Sequence, residues 1–279
     1  MIIERVLNNN ACLSENHDGL PVLLLGKGLC FGKRKGSPVD MELVDKTFIL
    51  KDHNTMNRFT DLAIDVPMDE IMIAEKVINY AKIRTGKKYS ESIYVNLTDH
   101  LHNTIKQAKE GIQLSNPLKW DIARFYPDEY AVGQKAIQIV NDEMGVSLKD
   151  DEAAFIALHF VNADVSNGAE QNRAYDVTKI MKEVEGIVKD FFNTEFDENS
   201  LAYYRFITHL KFFAQRLLEG QHYEDDDLDL LETIKRRYPR PYACCKQIQA
   251  YIQKKYQFKV TETEMMYMTV HISRLVKNI

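Results

Sequence analysis

The sequence predicts a multidomain protein, in which a small antiparallel β-sheet module is followed by two homologous all-α helical bundle domains. Residues 1–55 consist of short apolar runs separated by turn residues, which is typical of strands. From about Val66 onward, apolar residues recur at helical spacing, and this helical part contains an internal repeat. The length of 279 residues agrees, because domains of about 100–200 residues would make two or three.

The N-terminal module is predicted to be a sheet of short strands. The Asp18-Gly19 pair between two apolar runs is a strong hairpin signal, and residues 36–38, Gly-Ser-Pro, mark a second turn. The predicted strands cover residues 2–13, 20–25, 29–31 and 47–50. A sheet of about 55 residues is close to the lower size limit for independent folding, so we expect the module to dimerise.

The helical part is duplicated. Tyr126-Pro127 lies 33 residues before His159, and Tyr238-Pro239 lies 33 residues before His271. Further upstream, the offset between the copies is 109 residues instead of 112, which places the three extra residues in the acidic loop at 222–227. A period of more than 100 residues indicates a duplicated domain and not a solenoid. The predicted domains are residues 1–56, 66–168 and 176–279, with a polar linker at 164–176.

Each helical copy carries the same pair of histidines, within apolar stretches of helix length. The pairs are His100 with His159 and His209 with His271. A single histidine in a helix is more often a packing residue than a functional one. Here the flanking residues diverge between the copies, since Asn96 and Asp99 are replaced by Arg205 and Thr208, while the histidines stay. We therefore interpret the four histidines as functional.

Two kinds of chemistry are open to these histidines. Metal binding is disfavoured, because no Cys or carboxylate ligand recurs at i,i+4 spacing beside them, and His100 and His102 would face apart on a helix. Phosphoryl acceptance is favoured, because a neutral imidazole is nucleophilic near pH 7 and Asp99 could orient the ring of His100. The sequence contains no Ser-His-Asp set, P-loop or GxGxxG motif, so it predicts neither an enzyme nor a cofactor.

The net charge of −5 argues against nucleic-acid binding only until its distribution is considered. Residues 1–55 hold seven basic and seven acidic side chains, whereas residues 19–39 hold four basic side chains and no acidic one. In the same module, the amides of Asn8, Asn9 and Asn10 could pair with base edges or sugars, and Phe31 could stack on a base. The other candidates are two glycines that let the backbone approach a partner and the basic side chains: Gly26, Gly28, Lys27, Lys33, Arg34 and Lys35. The alternative is a hairpin turn with a solvated basic edge.

The cysteines and the start of the chain indicate a cytoplasmic protein. Cys12, Cys30, Cys244 and Cys245 form no CxxC pair, which predicts reduced thiols. Charged residues interrupt the first six positions, so no apolar signal core is expected. The longest early apolar run, residues 21–25, is too short to span a bilayer.

Motifs in all three predicted domains carry a resemblance to a known family. Residues 8–11, Asn-Asn-Asn-Ala, and residues 24–34 resemble the RNA-binding module of the BglG/SacY family of bacterial transcriptional antiterminators. Residues 92–101 and 203–217 resemble the two domains through which the sugar phosphotransferase system (PTS) regulates that family. The resemblance covers essentially all 279 residues, in the same domain order.

The resemblance implies roles for individual residues. The phosphorylated histidines of the family correspond to His100, His159, His209 and His271. The RNA-contacting positions correspond to Arg5, Asn10, Gly26, Lys27, Phe31 and Gly32, and the residue patterns described above add Asn8, Gly28 and Lys33. Two positions depart from the family pattern, because Lys27 replaces the more usual Arg and Gly32 replaces the more usual Gln.

The resemblance also implies a function and partners. A homodimer would bind a leader-RNA hairpin and prevent a terminator from forming in front of a sugar-utilisation operon. Phosphorylation of the first regulation domain by a sugar-specific enzyme II would inactivate it, and phosphorylation of the second by HPr would favour the active dimer, with no DNA and no membrane insertion. Two rivals remain: a DNA-binding activator, which would need a helix-turn-helix, and a histidine phosphotransfer enzyme, which would need a substrate pocket.

Overall fold

The computed structural model describes residues 1–165, 173–198, 200–222 and 228–277. They belong to two compact units, Met1–Asn172 and Arg173–Ile279. Among the described residues, the first unit contains a four-stranded sheet and six α-helices, and the second contains five α-helices. The predicted fold class, a small β-sheet module followed by two helical domains, is confirmed.

The N-terminal sheet is an antiparallel meander whose strands follow chain order. The strands are β1 (Ile3–Asn8), β2 (Ala11–Glu15), β3 (Pro21–Leu25) and β4 (Lys46–Phe48). The hairpin predicted at Asp18-Gly19 is confirmed, because Gly19 has a φ of +73° and the Asn16 side chain accepts two backbone hydrogen bonds within the turn.

Two of the predicted strands are wrong. Residues 2–13 form two strands, because an Asn-Asn turn separates β1 from β2. Residues 29–31 form a turn, in which backbone N–H groups bond to carbonyls three residues earlier. The apolar character of this run is explained by packing, since Leu29 and Cys30 are buried against one face of the sheet. The two remaining predicted strands overlap β3 and β4.

Both faces of the sheet are covered within the first unit. One face packs against the loop after β3, in a core formed by Ile3, Cys12, Val22, Leu24, Leu29 and Cys30. The other face packs against helix α1 (His53–Asp65), in a core that includes Leu23, Leu25, Phe48, Met56, Phe59 and Ala63. Successive residues of β3 therefore point to opposite cores, as the two-residue period of a strand requires.

Helix α1 lies in a segment for which the patterns above predict no element. Its N-terminus is capped by the side chain of Asp52, which accepts a hydrogen bond of 2.6 Å from the backbone N–H of Thr55. Its buried residues include Met56, Phe59 and Ala63, at i, i+3 and i+7 spacing. A capping Asp followed by this spacing is the signal that identifies the helix.

Five further helices complete the first unit. They are α2 (Met68–Thr85), α3 (Ser92–Lys109), α4 (Lys119–Phe125), α5 (Pro127–Met144) and α6 (Asp151–Ala163). Helix α5 packs against α2 and α6, and α3 packs against α1, α2 and α6. Helices α2 and α5 each end at a glycine in the left-handed conformation, which glycine adopts without a steric penalty.

The second unit repeats the order of α2 to α6. Its helices are α7 (Ala174–Phe192), α8 (Leu201–Glu219), α9 (Leu228–Arg237), α10 (Pro239–Tyr256) and α11 (Glu262–Leu275). Pro127 and Pro239 both open a helix, at the position where a missing N–H costs nothing. The duplication predicted from sequence spacing is therefore confirmed. Residues 166–172 of the predicted linker and 223–227 of the predicted acidic loop lie outside the described residues.

The cysteines contribute packing and no evident chemistry. All four are free and buried, as expected for reduced thiols. Burial raises the pKa of Cys12, Cys244 and Cys245 to about 12, which makes their thiols poor nucleophiles near pH 7. In the described part of the chain, no helix is both long and apolar enough to cross a membrane.

Candidate functional site

The first histidine pair is formed by two facing helices. His100 lies on α3 and His159 lies on α6, and their ring centroids are 4.7 Å apart with the planes inclined at 43°. The two residues are 59 positions apart in the sequence, so the packing of α3 against α6 brings them together. The predicted placement of both histidines in helices is confirmed.

A buried carboxylate faces this pair, but it is not the predicted one. Oε2 of Glu152, in the first turn of α6, lies 3.2 Å from Nε2 of His100, without the alignment of a hydrogen bond. The prediction that Asp99 orients His100 is wrong, because the exposed Asp99 side chain accepts a hydrogen bond from Asn103 and adjacent helix residues point about 100° apart. The recurrence of Glu152 as Glu264 in the second copy is the sequence signal that identifies the facing carboxylate.

The second pair repeats this geometry. His209 on α8 and His271 on α11 have ring centroids 4.7 Å apart, and their planes are inclined at 23°. Both rings line a cavity of about 270 Å³. The other residues that line it are Tyr204, Arg205, Thr208 and Phe212. A group transferred to either ring therefore has a place within the second unit.

Burial keeps His159, His209 and His271 neutral. It lowers the pKa of His159 and of His209 to about 3, and the second histidine of each pair adds to the effect. Burial, together with the charges of Arg274 and Arg205, also lowers the pKa of His271. A neutral imidazole retains a nitrogen lone pair, so these side chains are nucleophiles at pH 7. This is the protonation state that phosphoryl acceptance requires.

In the described ranges, no group of three or more His, Cys, Asp or Glu side chains could hold a metal ion. The side chains of His102 and His100 face apart, as their spacing predicts. Nδ1 of His102 lies 2.7 Å from Oε2 of Glu70 on α2, which gives this histidine a role in helix packing.

Most of the predicted RNA-contacting residues lie where the Asn9-Asn10 turn meets the loop after β3. The N–H of Gly26 donates to the carbonyl of Asn10 at 2.9 Å. The side-chain carbonyl of Asn10 accepts a hydrogen bond of 2.9 Å from the N–H of Gly28. These bonds join the turn and the loop into one surface, here named the turn–loop surface, which consists of Asn10, Lys27, Gly28, Phe31, Gly32 and Lys33, while Gly26 itself is buried.

The exposed side chains of the turn–loop surface suit a nucleic acid. Phe31 is 75% exposed although it is a large aromatic residue, and Lys27 is also exposed. An exposed aromatic ring can stack on a base, and a lysine can pair with a phosphate. Arg5 is exposed on β1, the edge strand that leads into the turn.

Two of the predicted RNA contacts have a role within the chain. Oδ1 of Asn8 accepts a hydrogen bond of 2.8 Å from the N–H of Asn10, and its Nδ2 donates one of 2.9 Å to the carbonyl of Ala63 in α1. A Cβ atom on Gly26 would lie 1.8 Å from the carbonyl oxygen of Leu43, so the close approach expected for Gly26 is made inside the chain. Contact of Asn8 and Gly26 with RNA stays a prediction.

The sheet is joined to the helix that carries His100 by contacts that no sequence pattern above identifies. Glu91, directly before α3, accepts backbone hydrogen bonds from Lys51 at 2.7 Å and from Asp52 at 3.1 Å. The ring of Tyr94 on α3 lies 5.8 Å from that of Phe48 on β4. The β-module and the first histidine pair therefore share one packed unit.

Family models match three parts of the chain. The model described as the CAT RNA binding domain matches residues 1–57, and the model described as the PRD domain matches residues 75–163 and 179–275. The turn–loop surface lies within the first match, and each histidine pair lies within one of the other two.

Relatives match almost the whole chain. The transcription antiterminator LicT of Bacillus subtilis (strain 168) is 44% identical over 277 residues, which are 99% of this chain and 99% of the relative. The beta-glucoside operon antiterminator of Dickeya chrysanthemi is 35% identical over 275 residues, which are 99% of this chain and 96% of the relative. A crystal structure of GlcT CAT-PRDI matches with a TM-score of 0.50 and 34% identity, over 58% of this chain and 96% of that chain.

Proposed function

Because the chain belongs to the BglG/SacY family of transcription antiterminators, we propose that it binds a leader-RNA hairpin as a homodimer and prevents a terminator from forming in front of a sugar-utilisation operon. Phosphoryl transfer from HPr and a sugar-specific enzyme II to the four paired histidines controls this binding. The observation that carries the proposal is the repeated histidine pair, with 4.7 Å between ring centroids in both copies, in a chain whose first 57 residues match an RNA-binding domain.

The turn–loop surface supports the RNA-binding half of the proposal. A base stacked on an aromatic ring such as Phe31 contributes about 1–3 kcal/mol. Lysines that pair with phosphates release counterions, so binding weakens steeply as salt increases. Residues 1–52 contain strands and one short 3₁₀ turn and no helix-turn-helix, which favours RNA over the DNA-binding rival.

Exposed apolar side chains of the module support dimerisation. Ile2, Met41 and Leu43 are all exposed in the single chain. Ile2 forms an isolated bridge with Pro38, so the start of the chain runs beside the segment that leads to Met41. A second copy that covers these side chains would remove them from water and bring two turn–loop surfaces onto one RNA hairpin.

The histidine pairs support the regulatory half. A ring nitrogen of the acceptor attacks the phosphorus of a donor phosphohistidine, so that one N–P bond forms as the donor's N–P bond breaks. The donor imidazole leaves with the bonding electron pair, and the acceptor ring releases a proton, which the donor ring takes up. The product adds about −1.5 to −2 charges at pH 7. In the first pair this charge arises beside the buried Glu152. Repulsion between the two negative groups is expected to loosen the packing of α3 on α6.

The proposed role is that of a cytoplasmic regulator and not of an enzyme. The phosphoryl groups act as signals on the histidines and are not passed to a small substrate. No cofactor, DNA contact or membrane insertion belongs to the proposal.

Cross-linking of the full chain to RNA in cells tests the RNA-binding half. We expect the recovered RNA to be a hairpin that overlaps a terminator, and we expect the purified chain to bind it in a salt-dependent way and to ignore duplex DNA of the same sequence. Recovery of RNA without such an overlap would contradict the proposal.

Labelling with phosphoenolpyruvate, enzyme I and HPr tests the regulatory half. Mass spectrometry at neutral to alkaline pH should find phosphohistidine at His209 or His271. A chain that remains unlabelled while HPr itself is phosphorylated would contradict this half.

A further inference from the structure

The two histidine pairs differ in the charge of the residues that accompany them. At the offsets of the internal repeat, three arginines of the second copy correspond to three neutral amides of the first. The corresponding residues are Arg205 and Asn96, Arg216 and Gln107, and Arg274 and Asn162. Because the two pairs have the same separation of 4.7 Å, this difference in charge distinguishes them more clearly than their geometry does.

One of the three arginines neutralises a carboxylate. Nε of Arg216 donates a hydrogen bond of 2.7 Å to Oε1 of Glu264, and its Nη2 donates one of 3.1 Å to Oε2. Glu264 is the counterpart of Glu152 in the repeat. Glu152 forms no ion pair with an arginine in the described part of the chain, and its carboxylate faces His100 instead. The same carboxylate is therefore neutralised in the second unit and not in the first.

Among the described residues, the other two arginines have no anionic partner. Arg205 lines the cavity that His209 and His271 share, and Arg274 follows His271 by three residues, which places it on the same side of α11. Neither guanidinium makes a hydrogen bond or an ion pair with any described residue. Two uncompensated positive charges beside a cavity attract an anion.

We propose that Arg205, assisted by Arg274, binds the phosphoryl group carried by His209 or His271, and that the second pair is therefore a phosphohistidine site whose charge is neutralised within its own unit. The inference rests on the phosphorylation proposed above. A guanidinium can donate two parallel N–H groups to phosphoryl oxygens, which an amide at the same position cannot reproduce.

The first unit lacks this compensation. Asn96 stands where the second unit has Arg205, so a phosphoryl group on His100 stays beside the uncompensated carboxylate of Glu152. The same modification is therefore expected to stabilise the packing of the second unit and to disturb the packing of the first. The opposite effects arise from the residues around the histidines and not from the histidines themselves.

The lifetime of the phosphohistidine tests this inference. The full chain is labelled with phosphoenolpyruvate, enzyme I and HPr, the donors are removed, and the label at the second pair is followed by mass spectrometry at alkaline pH. We expect Arg205→Asn, which installs the residue of the first copy, to shorten this lifetime by about tenfold, because it removes charge-assisted hydrogen bonds. Arg205→Lys should restore part of it. Arg237→Asn, which removes an exposed arginine that does not line the cavity, is the matched control and should match the unaltered chain.

Thermal unfolding provides a second readout. Phosphorylation should raise the melting temperature of the unaltered chain and should not raise that of Arg205→Asn. A label of equal lifetime in both chains, with equal thermal shifts, would overturn the inference and leave the proposed function standing. Absence of label at His209 and His271 in the unaltered chain would contradict both the proposed function and the inference that rests on it.

Discussion

The carboxylate of Glu91 accepts a hydrogen bond of 2.7 Å from the backbone N–H of Lys51. Glu91 is the residue directly before α3, and Lys51 lies in the segment that connects the RNA-binding sheet to α1. The helix that carries His100 is thereby tied at its start to the chain that leaves the sheet. A charge-driven shift of α3 would be transmitted to the module through this contact.

Removal of the contact should uncouple RNA binding from the first histidine pair. In Glu91→Ala, the affinity of the unphosphorylated chain for its hairpin should stay within about threefold, because the turn–loop surface is untouched. The change in affinity on phosphorylation of the first pair should shrink, since a hydrogen bond to a charged group contributes about 1.5–3 kcal/mol. Fluorescence anisotropy with labelled hairpin measures both quantities. Glu110→Ala, at the exposed far end of the same helix, is the control, and an unchanged response in Glu91→Ala would refute the coupling.

Phe31 should contribute to RNA affinity and little to stability. Phe31→Ala removes a side chain that is 75% exposed, so its thermal unfolding should stay close to that of the unaltered chain. RNA binding should weaken by about 1–3 kcal/mol through loss of base stacking. Leu29→Ala, two residues earlier and buried, should show the reverse pattern, with unfolding easier by about 2–5 kcal/mol. Unaltered RNA affinity in Phe31→Ala would show that the ring does not meet a base.

Asn10 should be required for RNA binding while the fold persists. Asn10→Ala removes an amide whose Oδ1 bonds to the N–H of Gly28, at a cost of about 1 kcal/mol in stability. We expect RNA binding to be abolished, because the amide orders the loop and is proposed to contact the RNA. Asn8→Ala is the comparison, since that amide bonds to Ala63 and its loss should loosen α1 instead. If Asn10→Ala keeps its affinity, the amide is only a turn residue.

The buried histidines should make the fold sensitive to mild acid. The pKa of His159 and of His209 is about 3 in the folded chain, against about 6.5 in an unfolded chain. Below pH 6.5 the unfolded chain therefore binds more protons, and the free energy of unfolding falls by up to about 1.4 kcal/mol per pH unit for each histidine. Above about pH 7 this stability is fully present.

Urea unfolding between pH 7 and 5 measures this effect. His209→Gln should lose stability less steeply than the unaltered chain as the pH falls, because it removes a histidine that binds a proton in the unfolded chain and not in the folded one. Gln253→Asn, which alters an exposed side chain without a titratable group, serves as the control and should keep the original slope. Equal slopes in His209→Gln and the unaltered chain would mean that His209 does not resist protonation.

The internal repeat predicts the helical part well, because two copies that diverge around fixed histidines reveal which positions matter. Pro127 and Pro239 precede His159 and His271 by the same number of residues, and each proline begins a helix. In both histidine pairs the ring centroids are 4.7 Å apart. Glu152 of the first copy also matches Glu264 of the second. The role of this carboxylate becomes visible only when α6 is placed against α3.

Adjacency in the sequence predicts side-chain contacts less well than the internal repeat does. Asp99 adjoins His100 and points elsewhere, because a helix turns about 100° per residue. The run at residues 29–31 is apolar because Leu29 covers the sheet, and not because it forms a strand. The backbone contacts of Glu91 leave no periodic pattern at all, so only the folded chain reveals them.

Terminator read-through in a purified transcription reaction tests the central claim most directly. The template carries the leader identified by cross-linking, and the full chain is added at increasing concentration to RNA polymerase. We expect read-through to rise with the unaltered chain, to stay unchanged with Asn10→Ala, and to change when phosphoenolpyruvate, enzyme I and HPr are present. A fraction of terminated transcripts that is the same with and without the chain would contradict the proposed function.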